Sequence, residues 1–204
     1  MMSWHRARQR IWLLFLVFFG TELGATTVQT VNLFEMVRLA DRVFWGTCLK
    51  MKTEQDGTTG LLVTAYTFEV REGIKGVSSG ETVVFRQISQ GQKGFGIPGL
   101  PQYPEGQQAL LFLHADSRIG LTSPVGLSQG VFQVEKIQDY LAVSNSLGNR
   151  NLAHNISAEL VGGSGLTDHE KEVLEKPHPI PLSRFLSLVD KIQSFWSGRG
   201  HSMQ

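Results

Sequence analysis

The sequence predicts a mainly β fold, an antiparallel barrel or sandwich with a short helix on its N-terminal side and an amphipathic helix on its C-terminal side. Three observations carry this. Six short runs place apolar residues at strand spacing, turn-forming pairs stand between them, and helical spacing is confined to segments outside the runs. At 204 residues and 41% hydrophobic content, the chain can build one core and is too short for two full-sized domains.

In chain order, the first 25 residues read as an export leader. His5, Arg6, Arg8 and Arg10 make a cationic start, residues 11–20 (IWLLFLVFFG) an apolar run, and Leu23-Gly24-Ala25 a small-residue exit. The competing reading is a membrane anchor, but the run is half the roughly 20 residues that span a bilayer. Residues 32–40 (NLFEMVRLA) put Leu33, Met36, Val37 and Ala40 at helical spacing, with Asn32 as N-cap. The period then becomes two. In residues 66–71 (YTFEVR), Tyr66, Phe68 and Val70 alternate with Thr67, Glu69 and Arg71, the pattern of a half-buried strand. Residues 43–51, 81–88, 108–115, 131–137 and 140–144 read similarly, and the unbroken apolar run 110–113 predicts a central strand covered on both faces. Asp56-Gly57, Lys75-Gly76 and Ser79-Gly80 supply turns.

Two segments interrupt the strands. Residues 91–106 (GQKGFGIPGLPQYPEG) carry five glycines and three prolines around Phe95, Ile97 and Tyr103. This is a long, proline-stiffened loop, which either displays its apolar residues for binding or tucks them into the core as a cover. The tail from residue 151 turns toward Gly, His and charge, with Thr167 and Glu170 spaced as a capping box opening a short helix. Leu182, Phe185, Leu186, Val189, Ile192 and Trp196 then form a helical apolar stripe, which docks on its own domain or fills a partner's groove. The resulting organisation is 1–25 signal peptide, 26–150 β-barrel domain, 151–180 linker with a short helix, 181–197 C-terminal helix and 198–204 disordered tail.

Composition narrows function. The leader contains three arginines and one glutamate, so residues 26–204 hold 16 basic against 17 acidic side chains. A near-neutral chain lacks the field that a phosphate backbone demands, so no nucleic-acid partner is expected. One cysteine, Cys48, excludes an intrachain disulfide, and an exported chain held by its apolar core alone points to a bacterial periplasmic or extracellular setting. The histidines show no i, i+4 pair, Cys48 has no C-x-x-C companion, and the consecutive Asp168, His169 and Glu170 diverge around a helix; no metal and no cofactor are expected. Asn155-Ile156-Ser157 matches a glycosylation acceptor.

The motif with catalytic form is residues 126–130 (GLSQG), a G-x-S-x-G spacing that makes Ser128 a candidate nucleophile. Asp139 and His154, or Asp168 and His169, follow in Ser-Asp-His order. A nucleophile elbow needs a strand before it and a helix after it. Here VFQV alternates like a strand after Gly130, and Pro124 precedes the motif. The expected catalytic set is therefore none, with a small serine hydrolase as the alternative.

The order of motifs adds a resemblance. Residues 39–46 (LADRVFWG), Tyr66 to Val70 with Lys75-Gly76, Val83 to Arg86, and Gly106 with 110–113 resemble, in sequence order, the elements of netrin-like OB-fold modules, whose best-known members are the tissue inhibitors of metalloproteinases. Residues 124–134 (PVGLSQGVFQV) are similar to a "P-V-G-L-x-Q-G-x-F-x-V" segment of uncharacterised exported bacterial proteins, in which Ser128 holds the variable position. Together they imply a small antiparallel Greek-key barrel, OB-like. The N-terminal cysteine by which the inhibitors reach a catalytic zinc has no counterpart, since the expected mature start is Thr26. The reading is an exported non-enzymatic binding module contacting a protein, a secreted protease or envelope partner, through Phe95, Ile97 and Tyr103. An oligosaccharide-binding barrel is a further alternative.

Overall fold

The computed structural model describes residues 29–89, 97 and 99–200. The expected leader therefore lies outside the described residues. The first element of the described residues is α1 (Leu33–Leu39), whose N-terminus closes as a full capping box: the Asn32 side chain accepts the Glu35 N–H, and the Glu35 carboxylate accepts the Asn32 N–H. Then follow β1 (Arg42–Gln55), β2 (Leu62–Lys75), β3 (Thr82–Ile88), β4 (Gln108–Leu113), a 3-10 turn (Leu127–Gly130), β5 (Val131–Ile137) and β6 (Tyr140–Asn145). Two short helices, α2 (Ala158–Gly163) and α3 (Asp168–Glu175), lead to β7 (Ile180–Pro181) and the long α4 (Leu182–Gly200).

The seven strands among the described residues form one antiparallel sheet in the order β3-β2-β1-β4-β5-β6-β7. The ladder is open, with β3 and β7 as its edges, so the sheet is not a closed barrel. Three register shifts in the β1–β2 pairing bend this part of it.

Each face of the sheet carries a core. On one face Val43, Leu110, Phe112, Phe132 and Val143 pack with α1 and α4; on the other Phe44, Cys48, Tyr66, Phe68, Phe85, Leu111 and Leu113 pack around Tyr103. β4 is buried on both sides because its residues alternate between the two cores, which is why its apolar run is unbroken. α4 lays Leu182, Phe185, Leu186, Val189 and Ile192 on the chain's own core, and the Trp196 indole N–H donates to the Phe34 carbonyl at 3.1 Å. Each such buried side chain contributes about 1.5–3 kcal/mol of transfer free energy. No helix among the described residues is long and apolar enough to cross a membrane.

β1 and β2 run well past the stretches that alternate in sequence. Residues 49–55 of β1 are exposed on both faces, so no apolar period marks them. That arm is held instead by the Thr53–Thr64 hydroxyl pair at 2.9 Å and by an ion pair between Arg86 of β3 and Asp56 of the turn. α2 and β7 are likewise elements without a sequence period. Between β6 and α4, Leu152, Leu166, Val173 and Leu174 are buried with the helices. α4 continues to Gly200, beyond the expected helix end at 197.

Candidate functional site

The GLSQG segment folds as a single 3-10 turn that feeds directly into β5. Its first glycine, Gly126, has φ +63°, a left-handed conformation that disfavours side chains. Its last, Gly130, lies so close to the preceding chain that a Cβ there would sit 2.3 Å from the Val125 carbonyl oxygen. Both glycines thus serve backbone geometry. The Ser128 hydroxyl lies 3.0 Å from that of Ser146. Three of the four residues that could complete a triad have other partners: the His154 ring meets the Asn155 amide at 3.0 Å, Asp168 pairs with Lys171, and His169 faces Glu172. No helix follows the serine to offer its N-terminus to an oxyanion.

The residue beside it, Gln129, is 5% exposed and reads the backbone of the segment leading into α1. Its Oε1 accepts the Val31 N–H at 3.0 Å and its Nε2 donates to the Gln29 carbonyl at 3.0 Å. Three asparagines, one ending β6 and two following it, extend this into a buried network. Asn151 donates to the Val31 carbonyl at 2.7 Å, and Asn145 donates to the Gln129 carbonyl at 3.0 Å and to Asn151 Oδ1 at 2.9 Å. Asn149, fully buried, donates to the carbonyls of Val143 and His178. Its backbone at φ +65° is one that asparagine tolerates better than most residues. Such a network stabilises only when its members are satisfied, and these are. Sequence reading missed these four residues. The cluster of three asparagines within seven positions at a strand end was the available signal.

The motifs that carry the family resemblance prove to be joints of the scaffold. Lys75 Nζ donates to the Val37 carbonyl at 2.9 Å, capping the last turn of α1, and burial lowers its pKa. A Cβ on Gly76, at φ +67°, would meet the Asp41 carbonyl oxygen at 2.4 Å, and one on Gly46 would meet that of Glu69 at 2.6 Å.

The three expected binding residues part company. Phe95 lies outside the described residues. Ile97 is 39% exposed. Tyr103 is fully buried, its ring packed edge-on against Tyr66, Phe68 and Phe85, so it roots the loop and offers no surface to a partner. Burial raises the pKa of Tyr103 and, less strongly, that of Cys48, whose thiol donates to the Tyr103 carbonyl at 3.3 Å. Leu100, 4% exposed, fixes the same root. Among the described residues, no group of three or more His, Cys, Asp or Glu side chains is placed to hold a metal ion.

A scan against protein-family models finds no match to the chain, and searches of curated proteins and of solved structures find none either. What the fold and site define on their own is an antiparallel β-sheet protein whose most elaborate polar constellation braces its backbone.

Proposed function

We propose that the chain is an exported, non-enzymatic binding module that contacts a protein partner through the loop between β3 and β4, with Ile97 as the described anchor. The observation that carries this is the contrast within the loop. Tyr103 and Leu100 bury its root in the sheet's core, while Ile97, three residues earlier, keeps 39% of its surface in water. A rooted loop loses little entropy when its apolar residue docks. The cationic and apolar start of the chain supports export, and the resemblance to netrin-like modules makes a secreted protease the first partner to test.

The same resemblance supports reading the open sheet as a Greek-key barrel of OB type. Residues 121–125 hydrogen-bond β4 on one side, His114 N–H to the Ser123 carbonyl at 3.0 Å and Val125 N–H to that of Phe112 at 2.8 Å. On the other side the Thr122 N–H donates to the Arg86 carbonyl of β3 at 2.9 Å. That segment would complete a ring with β1 to β4, in the manner of a partly open five-stranded barrel.

The test is a photo-crosslinking residue placed at position 97, with position 136 on the β5–β6 hairpin as control, in the secreted fraction of the source organism. An adduct with a protease formed from 97 and not from 136 is expected. No adduct, or equal adducts from both positions, would overturn the assignment.

A further inference from the structure

A cavity of about 140 Å³ opens beside the GLSQG turn, bounded by Ser128, Gln133, Ser144, Ser146, Val131 and Pro101. We propose that it is a subsite for one ring of a neutral oligosaccharide, whose next units run along the exposed Gln133 and Glu135 of β5 to Tyr140. One wall, Pro101, comes from the root of the β3–β4 loop, whereas the proposed protein anchor Ile97 does not line the cavity.

The chemistry of the lining selects the ligand. None of the bounding side chains is ionisable, so a charged group entering the cavity would shed water without gaining a counter-charge. The lining also includes the Asn145 amide, which is committed to the buried network, so three hydroxyls and the Gln133 amide remain, and each hydroxyl both donates and accepts, the bonding character of a sugar hydroxyl. Ser128 and Ser146 already share one hydrogen bond at 3.0 Å, which fixes the direction of their remaining capacity.

The positions are also held in advance. Ser128 adjoins Gln129 in the chain, and Ser144 and Ser146 flank Asn145, so all three hydroxyls are carried by the buried amide network. Gln133 and Ser144 are direct cross-strand partners. A preorganised polar site loses less on binding. The cavity is smaller than the about 300–1,000 Å³ that encloses a drug-sized ligand, which limits it to a single ring.

The rest of the path follows from strand alternation. Val131 faces the core opposite the helices, so Gln133, Glu135 and Ile137 share that side of β5, and Tyr140, Ala142, Ser144 and Ser146 share it on the β6 side. Tyr140, 45% exposed, stands about 13 Å from Ser144 at about 3.3 Å per residue. Ala142 between them is 2% exposed, so a second ring passes over Gln133 and Glu135, which are exposed, and the tyrosine offers an apolar ring face for a third.

The experiment is a heteronuclear NMR titration of the labelled protein with cellotriose and with the N-acetylglucosamine trimer, repeated for Gln133→Leu/Ser144→Val, Tyr140→Ala and Ile97→Asp. Saturable shifts at Gln133, Ser144, Ser146 and Tyr140 are expected with at least one trimer. The double variant, whose valine suits a strand, should weaken binding about ten-fold or more through the loss of two hydrogen-bonding groups. Ile97→Asp should bind the sugar as the parent does. Absence of saturable shifts with both trimers, shifts confined to other residues, or equal affinity in the folded double variant would overturn the proposal.

Discussion

Replacing Gln129 with alanine separates the bracing role of the GLSQG turn from a chemical one. The substitution removes the acceptor of the Val31 N–H and the donor to the Gln29 carbonyl, both at 3.0 Å. Gln29 is exposed, so water recovers its carbonyl, whereas the half-buried Val31 N–H loses its partner. An unsatisfied buried donor costs about 1–3 kcal/mol. With the lost packing of a side chain that is 5% exposed, the sum is about 2–3 kcal/mol. For a domain of this size, that lowers the melting temperature by about 4–12 °C. Ser128→Ala, which breaks one hydroxyl pair at the surface, should stay within about 0.5 kcal/mol. Thermal unfolding by circular dichroism measures both, and amide exchange at Val31 should accelerate in the glutamine variant alone. Equal melting temperatures for the two variants, with Val31 equally protected, would refute the reasoning.

Three further outcomes are expected. Glu170 is held to a pKa of about 2, first by Lys191, which donates to both carboxylate oxygens, and then by the Thr167 N–H. A depressed folded-state pKa gives stability that is present above the ordinary value of 4.5 and lost as pH falls toward 2, so the stability gap between the parent and Glu170→Gln should close across that window in urea titrations; a constant gap contradicts it. Gly76→Ala should destabilise by about 2 kcal/mol or more, because positive φ and a 2.4 Å contact to the Asp41 carbonyl act together, while Gly80→Ala, at φ +81° with open space, should lose only about 1 kcal/mol; equal shifts in urea midpoint would refute the contact. Cys48, buried and with a raised pKa, should resist a thiol reagent in the native protein and react on unfolding, and rapid native labelling would contradict its placement.

Legibility in the sequence followed periodicity. α1, β4 and the apolar stripe of α4 could be read because each has a face, or two faces, buried. The outer half of β1 could not, since residues 49–55 meet water on both sides and any polar sequence satisfies that requirement. The open edges of the sheet were invisible for a different reason: closure depends on which strand meets β3, and local pattern carries no such information. In the candidate site, the strand after Gly130 already spoke against an elbow at Ser128. The role of Gln129 was hidden, because its partner Val31 lies 98 residues away and an amide bonding to a main chain leaves no trace in the partner's side chain. Tyr103 could be read equally as display or as anchor, and packing against three other rings decided it.

Whether this β body performs covalent chemistry is tested most directly by exposing the folded protein to a fluorophosphonate probe and mapping any adduct by mass spectrometry. No modification is expected at Ser128, whose hydroxyl has a second serine as its partner. Stoichiometric labelling at that residue, abolished by Ser128→Ala, would contradict it and make hydrolysis the leading activity of the chain.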